Sequence, residues 1–496
     1  MKRFLLLFLF IFQIITLHAI KFKIDKKDST DDKITIMAIF DTGFGVEGIN
    51  DGIGITDYQS FFFRPAFHIE DFGIGLDLTI RFRIFTQQPE FRVKDWYIEN
   101  DPLSTLFLYL DKIAYIKYGD LNKPIYFTTG RLPFITLGNS LLVKNYHNIA
   151  FYPTSKENGL FFKFNANYLN FFKKDPLPIE LTFFIPDLLD PDIFGFDFTI
   201  DTMKFTIHDD MSLKFGLSFM SDFDANEHNR LSALPLENLQ DYRNIQYDGW
   251  TTSLIGLSIP IFYSFERENF KLIFSNESAF LLDLPNIPKP DNFNFGFGNR
   301  FEFDSRFLNI KKSGFLLGAS AGFIVTASKF QIDYFSSTYE LVRKKMYYTK
   351  YDDYEIMLSW GFGIYAFKEE LQFKFKMTIP VTVDSFYSKF ESQFTLSSII
   401  VKGLFINVFY ETGVNPINIQ GSNGGHFIES ITKDFRFYAE VGYQIYNAKI
   451  NFLIGVQRPG WIDENNYIDP NTLELNPDNY GADLQKFISL EVSFVL

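Results

Sequence analysis

The sequence predicts an all-β fold: a single-domain, transmembrane, antiparallel, up-and-down β-barrel of about 20 strands, within 16 to 22. Three observations predict it. The chain ends in LQKFISLEVSFVL, residues 484–496. There Leu484, Ile488, Leu490, Val492, Phe494 and Leu496 share one face, with Lys486 the exception, and Gln485, Ser489, Glu491 and Ser493 share the other. Period-two alternation of this kind recurs from about residue 33 to the end. The composition agrees: 63 Phe and 26 Tyr among 496 residues, yet a mean hydropathy of only −0.02, as strands with one apolar and one wet face would give.

The elements follow in order. The chain opens MKRFLLLFLFIFQIITLHA, with basic Lys2 and Arg3, an apolar run Phe4–Leu17 and a small residue at Ala19. Residues 1–19 therefore read as a secretory signal peptide, the apolar run being short for a membrane-spanning helix. No Cys follows it, so lipoprotein anchoring is excluded. Residues 20–32 read as a short N-terminal segment, too brief for a globular plug or a soluble domain. The barrel proper is expected over 33–496.

Its clearest strands alternate without a break. Phe72, Ile74, Leu76, Leu78, Ile80, Phe82 and Ile84 alternate with Gly73, Gly75, Asp77, Thr79, Arg81 and Arg83. Phe293–Phe303, Leu371–Ile379 and Phe435–Ile445 do the same, with similar patterns at 211–220, 354–366 and 448–457. A β-sandwich also alternates. Strands of this length, an aromatic apolar face and a polar face with isolated charges and glycines favour a tilted bilayer crossing with a watered interior. Short turns are expected near 68–72, 119–123, 208–211 and 265–269. Long loops are expected near 86–104, 132–157, 221–246, 412–433 and 458–483, all at one end of the barrel provided 313–337 and 340–367 form one tall hairpin. Nothing after residue 19 approaches an 18-residue apolar run, and no solenoid repeat appears.

Parity assigns the inner face. Arg81, Arg83, Arg300, Lys374, Lys376 and Arg436 supply cations there, and Asp77, Glu302 and Glu440 supply anions. Lys163, Lys214, Lys389, Lys449, Asp304, Glu355, Glu391 and Glu491 fall on the same faces. The simplest role for any one of them is to pair across the interior and hold water. The segment GRLPFITLGNSLLVKNYHNIAFYP (130–153) is the most distinctive non-strand stretch, mixing Gly, Asn and apolar residues. Folded inward, the loop 132–157 would narrow the barrel and bring Arg131, Asn139, Lys144, Asn145, Tyr146, His147 and Asn148 to a constriction. An apolar outer loop or a distorted strand pair would also account for it.

Other chemistry is poorly represented. The chain has no Cys, so disulfides, thiolate metal sites and Cys nucleophiles are excluded together. Its six His are scattered, and no HExxH, no GxSxG and no clustered metal ligands appear. No enzyme activity and no cofactor are expected. A net charge of −13 argues against nucleic acid as a partner.

With leader, plug-free start, aromatic strands and terminal amphipathic strand in view, the chain resembles outer-membrane porin-like β-barrel proteins of diderm bacteria. The drift toward Phe, Lys, Ile and Asn suggests an AT-rich genome, a spirochaete first. Many such proteins end in Phe or Trp. Here Leu496 ends the chain, and Phe494 lies two residues earlier on the same face. The resemblance implies an outer-membrane location, the lipid bilayer, the barrel assembly machinery and small solutes as partners, and passive diffusion of hydrophilic solutes past basic and acidic residues on facing walls. Porin-like barrels are often trimers, and no interface signature is evident here. Two other classes remain: a transporter of hydrophobic molecules such as fatty acids, and a surface adhesin or structural barrel displaying its loops.

Overall fold

The computed structural model describes residues 36–50, 55–84, 90–99, 101–132, 134–148, 158–166, 178–188, 191–202, 210–223, 225, 252–267, 270–285, 294–310, 315–327, 330, 332–336, 355–367, 370–381, 389–397, 401–412, 435–445, 447–458 and 485–495. The expected leader and N-terminal segment lie outside these residues.

The wall begins with β1 (Ile36–Asn50) and β2 (Ile55–Ile69). A third stave is broken into β3 (Phe72–Leu76) and β4 (Leu78–Arg83) by the inward-turned Asp77. A fourth combines β5 (Glu90–Phe91), paired to β4, with β6 (Ile113–Gly119), paired to β3. Between them runs the short helix α1 (Pro102–Leu110). After β7 (Ile125–Gly130) the chain leaves the wall for two short strands, β8 (Ile135–Leu137) and β9 (Val143–Tyr146). It returns as β10 (Gly159–Asn165), β11 (Ile179–Ile185), β12 (Ile193–Asp201), β13 (Met211–Asp222), β14 (Thr252–Arg267), β15 (Phe270–Pro285), β16 (Asn294–Ile310) and β17 (Phe315–Ala327). A second excursion carries β18 (Phe335–Ser336). The wall then finishes with β19 (Glu355–Ala366), β20 (Leu371–Pro380), β21 (Lys389–Ser397), β22 (Leu404–Thr412), β23 (Phe435–Ile445), β24 (Ala448–Arg458) and β25 (Gln485–Val495).

Every wall stave pairs antiparallel with its neighbours, and β25 pairs with β1 from Phe487↔Glu47 to Val495↔Ile39. The result is a closed barrel of 20 staves in one domain. Closure matters physically, because it leaves no edge strand with unpaired backbone groups.

One rim holds Ile36, Val495 and the short turns. At β6–β7 the turn uses Gly119 at φ 79 and an Asn122 amide donating to the Asp120 side chain at 3.0 Å. The opposite rim holds the other strand ends. The long loops expected at 221–246, 412–433 and 458–483 lie almost wholly outside the described residues. The hairpin of 313–337 with 340–367 forms but is shorter than expected: β17 pairs β19 from Leu316↔Tyr365 to Thr326↔Glu355, the strand expected to run to 337 leaves the wall at Ala327, and Phe330 and residues 332–336 turn inward. The sequence FQIDYF alternates like a wall strand, but its apolar residues Phe330, Ile332, Tyr334 and Phe335 are all buried.

Wall height is uneven. The staves β7, β10 and β11 have 6, 7 and 7 residues, whereas β14, β15 and β16 have 16, 16 and 17.

The outer face is an apolar band. Phe301, Phe323, Leu358, Trp360, Phe362, Phe452 and Leu490 are all exposed on it. Rings pair across strands there, as Phe301 with Phe323 (5.6 Å) and Trp360 with Phe375 (5.2 Å). A continuous apolar girdle of this kind is stable against lipid and unfavourable in water. No described helix is long and apolar enough to cross a membrane, which says nothing of crossing by strands.

Candidate functional site: a pinned constriction in the lumen

Two excursions enter the barrel and join. β8 and β9 form a small hairpin, and β18 adds to β9 in parallel, Phe335↔Val143 and Ser336↔Lys144. Backbone amides complete the joint: Asp333 donates to the Leu141 carbonyl (2.9 Å) and Phe335 to that of Leu142 (3.0 Å). The inner sheet touches inward residues of staves far apart around the wall, from β11 through β15 and β16 to β21, which places it in the lumen.

Apolar packing holds one side. Leu137, Leu141, Leu142, Val143, Tyr146, Phe330, Tyr334 and Phe335 pack with the wall residues Phe184, Met220, Leu254, Leu281, Ile324 and Met357 in one buried cluster. Tyr146 lies against Phe184 at 5.6 Å. Leu142 and Phe330 sit directly on the backbones of Gly256 and Gly298, where a Cβ would come within 2.5 Å of them.

Polar anchors hold the tip. Glu277 of β15 is fully buried and accepts the backbone amides of Asn139 and Leu141, both at 2.9 Å. The Asn139 side chain donates to Ser275 Oγ (2.7 Å). From β16, Arg300 donates to the Asn139 carbonyl (2.9 Å) and to Ser140 Oγ (2.7 Å). Gly138 makes the turn at φ 56, with a Cβ there falling 2.5 Å from the Glu277 carboxylate. At the base, Asn148 accepts the Leu132 amide (2.9 Å) and donates to the carbonyls of Gly130 (3.0 Å) and Pro186 (2.9 Å).

Charges lock the far side. Lys144 pairs with Glu391, while Lys389 bridges Asp333 (2.7 Å) and Glu411 (3.1 Å). Arg300 reaches Asp333 at 3.7 Å. Lys376 holds both oxygens of Glu302, at 2.7 and 2.8 Å, across the small inward residues of β17 and β19. Burial raises the Asp333 pKa, but Lys389, Lys144 and Arg300 outweigh it and hold the carboxyl below its ordinary value. His147 is pushed down to about 3, mainly by burial and further by the charge of Arg436, and its ring meets Phe134 edge-on at 4.8 Å.

The remaining sequence candidates are spread around the wall. Asp77 is fully buried and pairs with Arg64 (3.4 Å) and Arg131. Arg81 is locked between Glu47 (2.8 Å) and Asp95 (3.0 Å). Arg83 is more open and pairs with Glu90 at 3.1 Å. Lys374 lies over the Tyr365 ring at 5.7 Å, with Arg306 over the same ring at 4.6 Å. Arg436 stands opposite Glu411 in register, and Glu440 takes Lys449 and Asn407, both at 3.2 Å. Asn145 bends the inner hairpin at φ 51, its amide donating to Thr136 Oγ1 at 3.1 Å. Among the described residues, basic and acidic groups are interleaved and locally paired. The wall is not divided into a basic face opposite an acidic one, as facing-wall charge separation requires.

Sequence reasoning missed Glu277, Ser275 and Asp333, which anchor the inner sheet, and the inward turn of Phe330 and residues 332–336. Their partners are distant in sequence, and parity carries no information about partners.

No protein-family model matches the chain, and no curated protein matches it. Among solved structures it is similar to the outer membrane protein opdK from Pseudomonas aeruginosa (12% identity, 94% of this chain and 98% of that one, TM-score 0.35). It is also similar to the FrpB iron transporter from Neisseria meningitidis (8%, 94% and 82%, 0.37) and to the copper transporter OprC (8%, 95% and 82%, 0.41). None of these bears on a spirochaete source.

Proposed function

We propose that the protein is an outer-membrane channel for passive diffusion of small hydrophilic solutes, narrowed by the inner sheet. In this reading the short-turn rim faces the periplasm and the long loops face outward. The observation that carries it is the combination of an apolar outer band with a polar inner wall and a tethered constriction. The bilayer, the barrel assembly machinery and the solutes are its partners, and export uses the N-terminal leader.

Locally paired charges make the constriction nearly neutral, so ions of both signs pass and the filter is steric. The Glu277 and Asp333 anchors keep the inner sheet in place during passage, so the constriction is a standing element and not a gate. Single-channel conductance of the purified, detergent-folded protein in a planar lipid bilayer tests this. Discrete steps proportional to salt concentration are expected, with weak cation–anion selectivity. Folded protein without conductance overturns the proposal.

A further inference from the structure

Three aromatic rings occupy the polar face of the wall away from the inner sheet's buried cluster. Phe409 stands opposite Tyr438, Tyr438 opposite Gly455, and Gly455 opposite Phe487. All three rings are half-buried on the inner side. The ring of Phe487 leans over Gly455 and overlaps the place a Cβ would take there, so that only glycine leaves room for it. Tyr438 and Phe487 have centroids 6.4 Å apart.

The row climbs. In a barrel of tilted, staggered strands a line of register partners rises as it goes round. Phe409 lies five residues above the short-turn end of β22, Tyr438 seven above that of β23, and Phe487 eight above that of β25. The inner sheet meets the wall at Glu391, through Lys144, and at Lys389, through Asp333, six and eight residues above the short-turn end of β21. The rings therefore stand level with the inner sheet, and a solute passing the narrowed level meets them there.

The surroundings select the solute class. Hydrogen-bonding groups flank the rings: Gln393 opposite Phe409, and the Asn407–Glu440 pair in the row below. The nearby charges are matched, Glu440 by Lys449 and Arg436 by the facing Glu411, so an ion gains little there. An apolar solute would strand the polar flanks. A saccharide satisfies both, placing its C–H face on a ring and its hydroxyls at the edges.

We propose that Phe409, Tyr438 and Phe487 form a stacking platform for neutral saccharides on the wall beside the inner sheet. The proposal rests on the channel reading and adds a substrate class to it. The test uses the full-length folded protein with maltotriose as probe, against sorbitol and benzoate, read as block of the ion current and, separately, by calorimetric binding. Maltotriose should bind and interrupt the current, and sorbitol and benzoate at equal concentration should not. Phe487→Leu should weaken maltotriose about two- to ten-fold, and Phe487→Tyr, which keeps the ring, should retain it. A conducting protein that neither binds maltotriose nor is blocked by it overturns the platform, as does unchanged binding in Phe487→Leu or equal block by benzoate. A non-conducting protein that binds maltotriose, with binding weakened in Phe487→Leu, overturns the channel and keeps the platform.

Discussion

Removing the Glu277 carboxylate should release the tip of the constriction. Glu277 is fully buried and accepts two backbone amides, from Asn139 and Leu141, at 2.9 Å each. Glu277→Ala leaves both donors without this acceptor and Arg300 without a facing carboxylate in register. A buried donor left without its acceptor costs about 1–3 kcal/mol, so with two such amides the tip loses roughly 2–6 kcal/mol of docking energy. The apolar cluster around Leu141, Leu142 and Tyr146 remains, so the barrel itself should still close. Glu277→Gln keeps one acceptor oxygen and should lose about half as much. Single-channel recording is the assay. Glu277→Ala should show a larger mean conductance and more open-channel noise than the parent, with Glu277→Gln in between. Limited proteolysis at 138–148 should speed up in the same order. An alanine variant with parental conductance, noise and protease resistance would refute the anchoring argument.

Four further outcomes follow from the same geometry. Truncating 138–148 should widen the pore and raise conductance above that of Glu277→Ala; unchanged conductance rules out 132–148 as the narrowing element. Asp333→Asn leaves Lys389 and Arg300 buried without this counter-charge and should destabilise the joint by about 3–5 kcal/mol, read as faster proteolysis near 330–336, whereas Asp333→Leu with Lys389→Met should recover much of the loss. His147 has a folded pKa of about 3 against an ordinary 6.5, so the unfolded segment binds the proton first as pH falls. Stability is full above 6.5 and declines by about 1.4 kcal/mol per unit between 6.5 and 3, and His147→Gln should abolish that slope in proteolysis measured at pH 7 and pH 4.5. Leu358→Arg or Trp360→Arg on the exposed outer band should cost about 2–4 kcal/mol in lipid and lower the folded yield in vesicles, an effect a water-facing wall would not produce.

The wall was legible because lipid and water impose opposite demands on alternate residues. Phe295, Phe297, Phe301 and Phe303 facing Gly296, Arg300 and Glu302 admit little else, and the stave count follows from turns and loops. The two excursions were unequal. Residues 138–148 depart from alternation and carry Gly138, Asn139 and Asn145, so the departure from the wall shows in the sequence. Residues 330–336 alternate, and only Phe335 beside Tyr334 breaks the pattern. Burial on both faces of that segment arises from β9 and the wall meeting it, which one strand's sequence does not record. Partner choice was equally hidden: nothing local to Glu277 tells that it binds amides 136 and 138 residues away. The aromatic row did leave a signal, since Phe487 sits in the polar register between Gln485 and Ser489.

With the barrel set in a bilayer, as proposed above, the uneven wall has a consequence for the surrounding lipid. At about 3.4 Å per residue and the usual tilt near 40°, a seven-residue stave rises only ~18 Å, less than the ~25 Å apolar band of such barrels, while a sixteen-residue stave rises ~42 Å. On the β7–β11 flank the bilayer must thin, or the gap must be roofed by apolar groups such as Leu106, Tyr109 and Leu110, which α1 leaves exposed beside it. The barrel thus stands in the membrane as a cylinder cut obliquely, and its low side is where the chain from β7 turns inward. Acyl-chain length in reconstituted bilayers becomes a mechanical input to that side alone: short-chain lipid fits the low flank, and long-chain lipid strains it while leaving the tall flank indifferent.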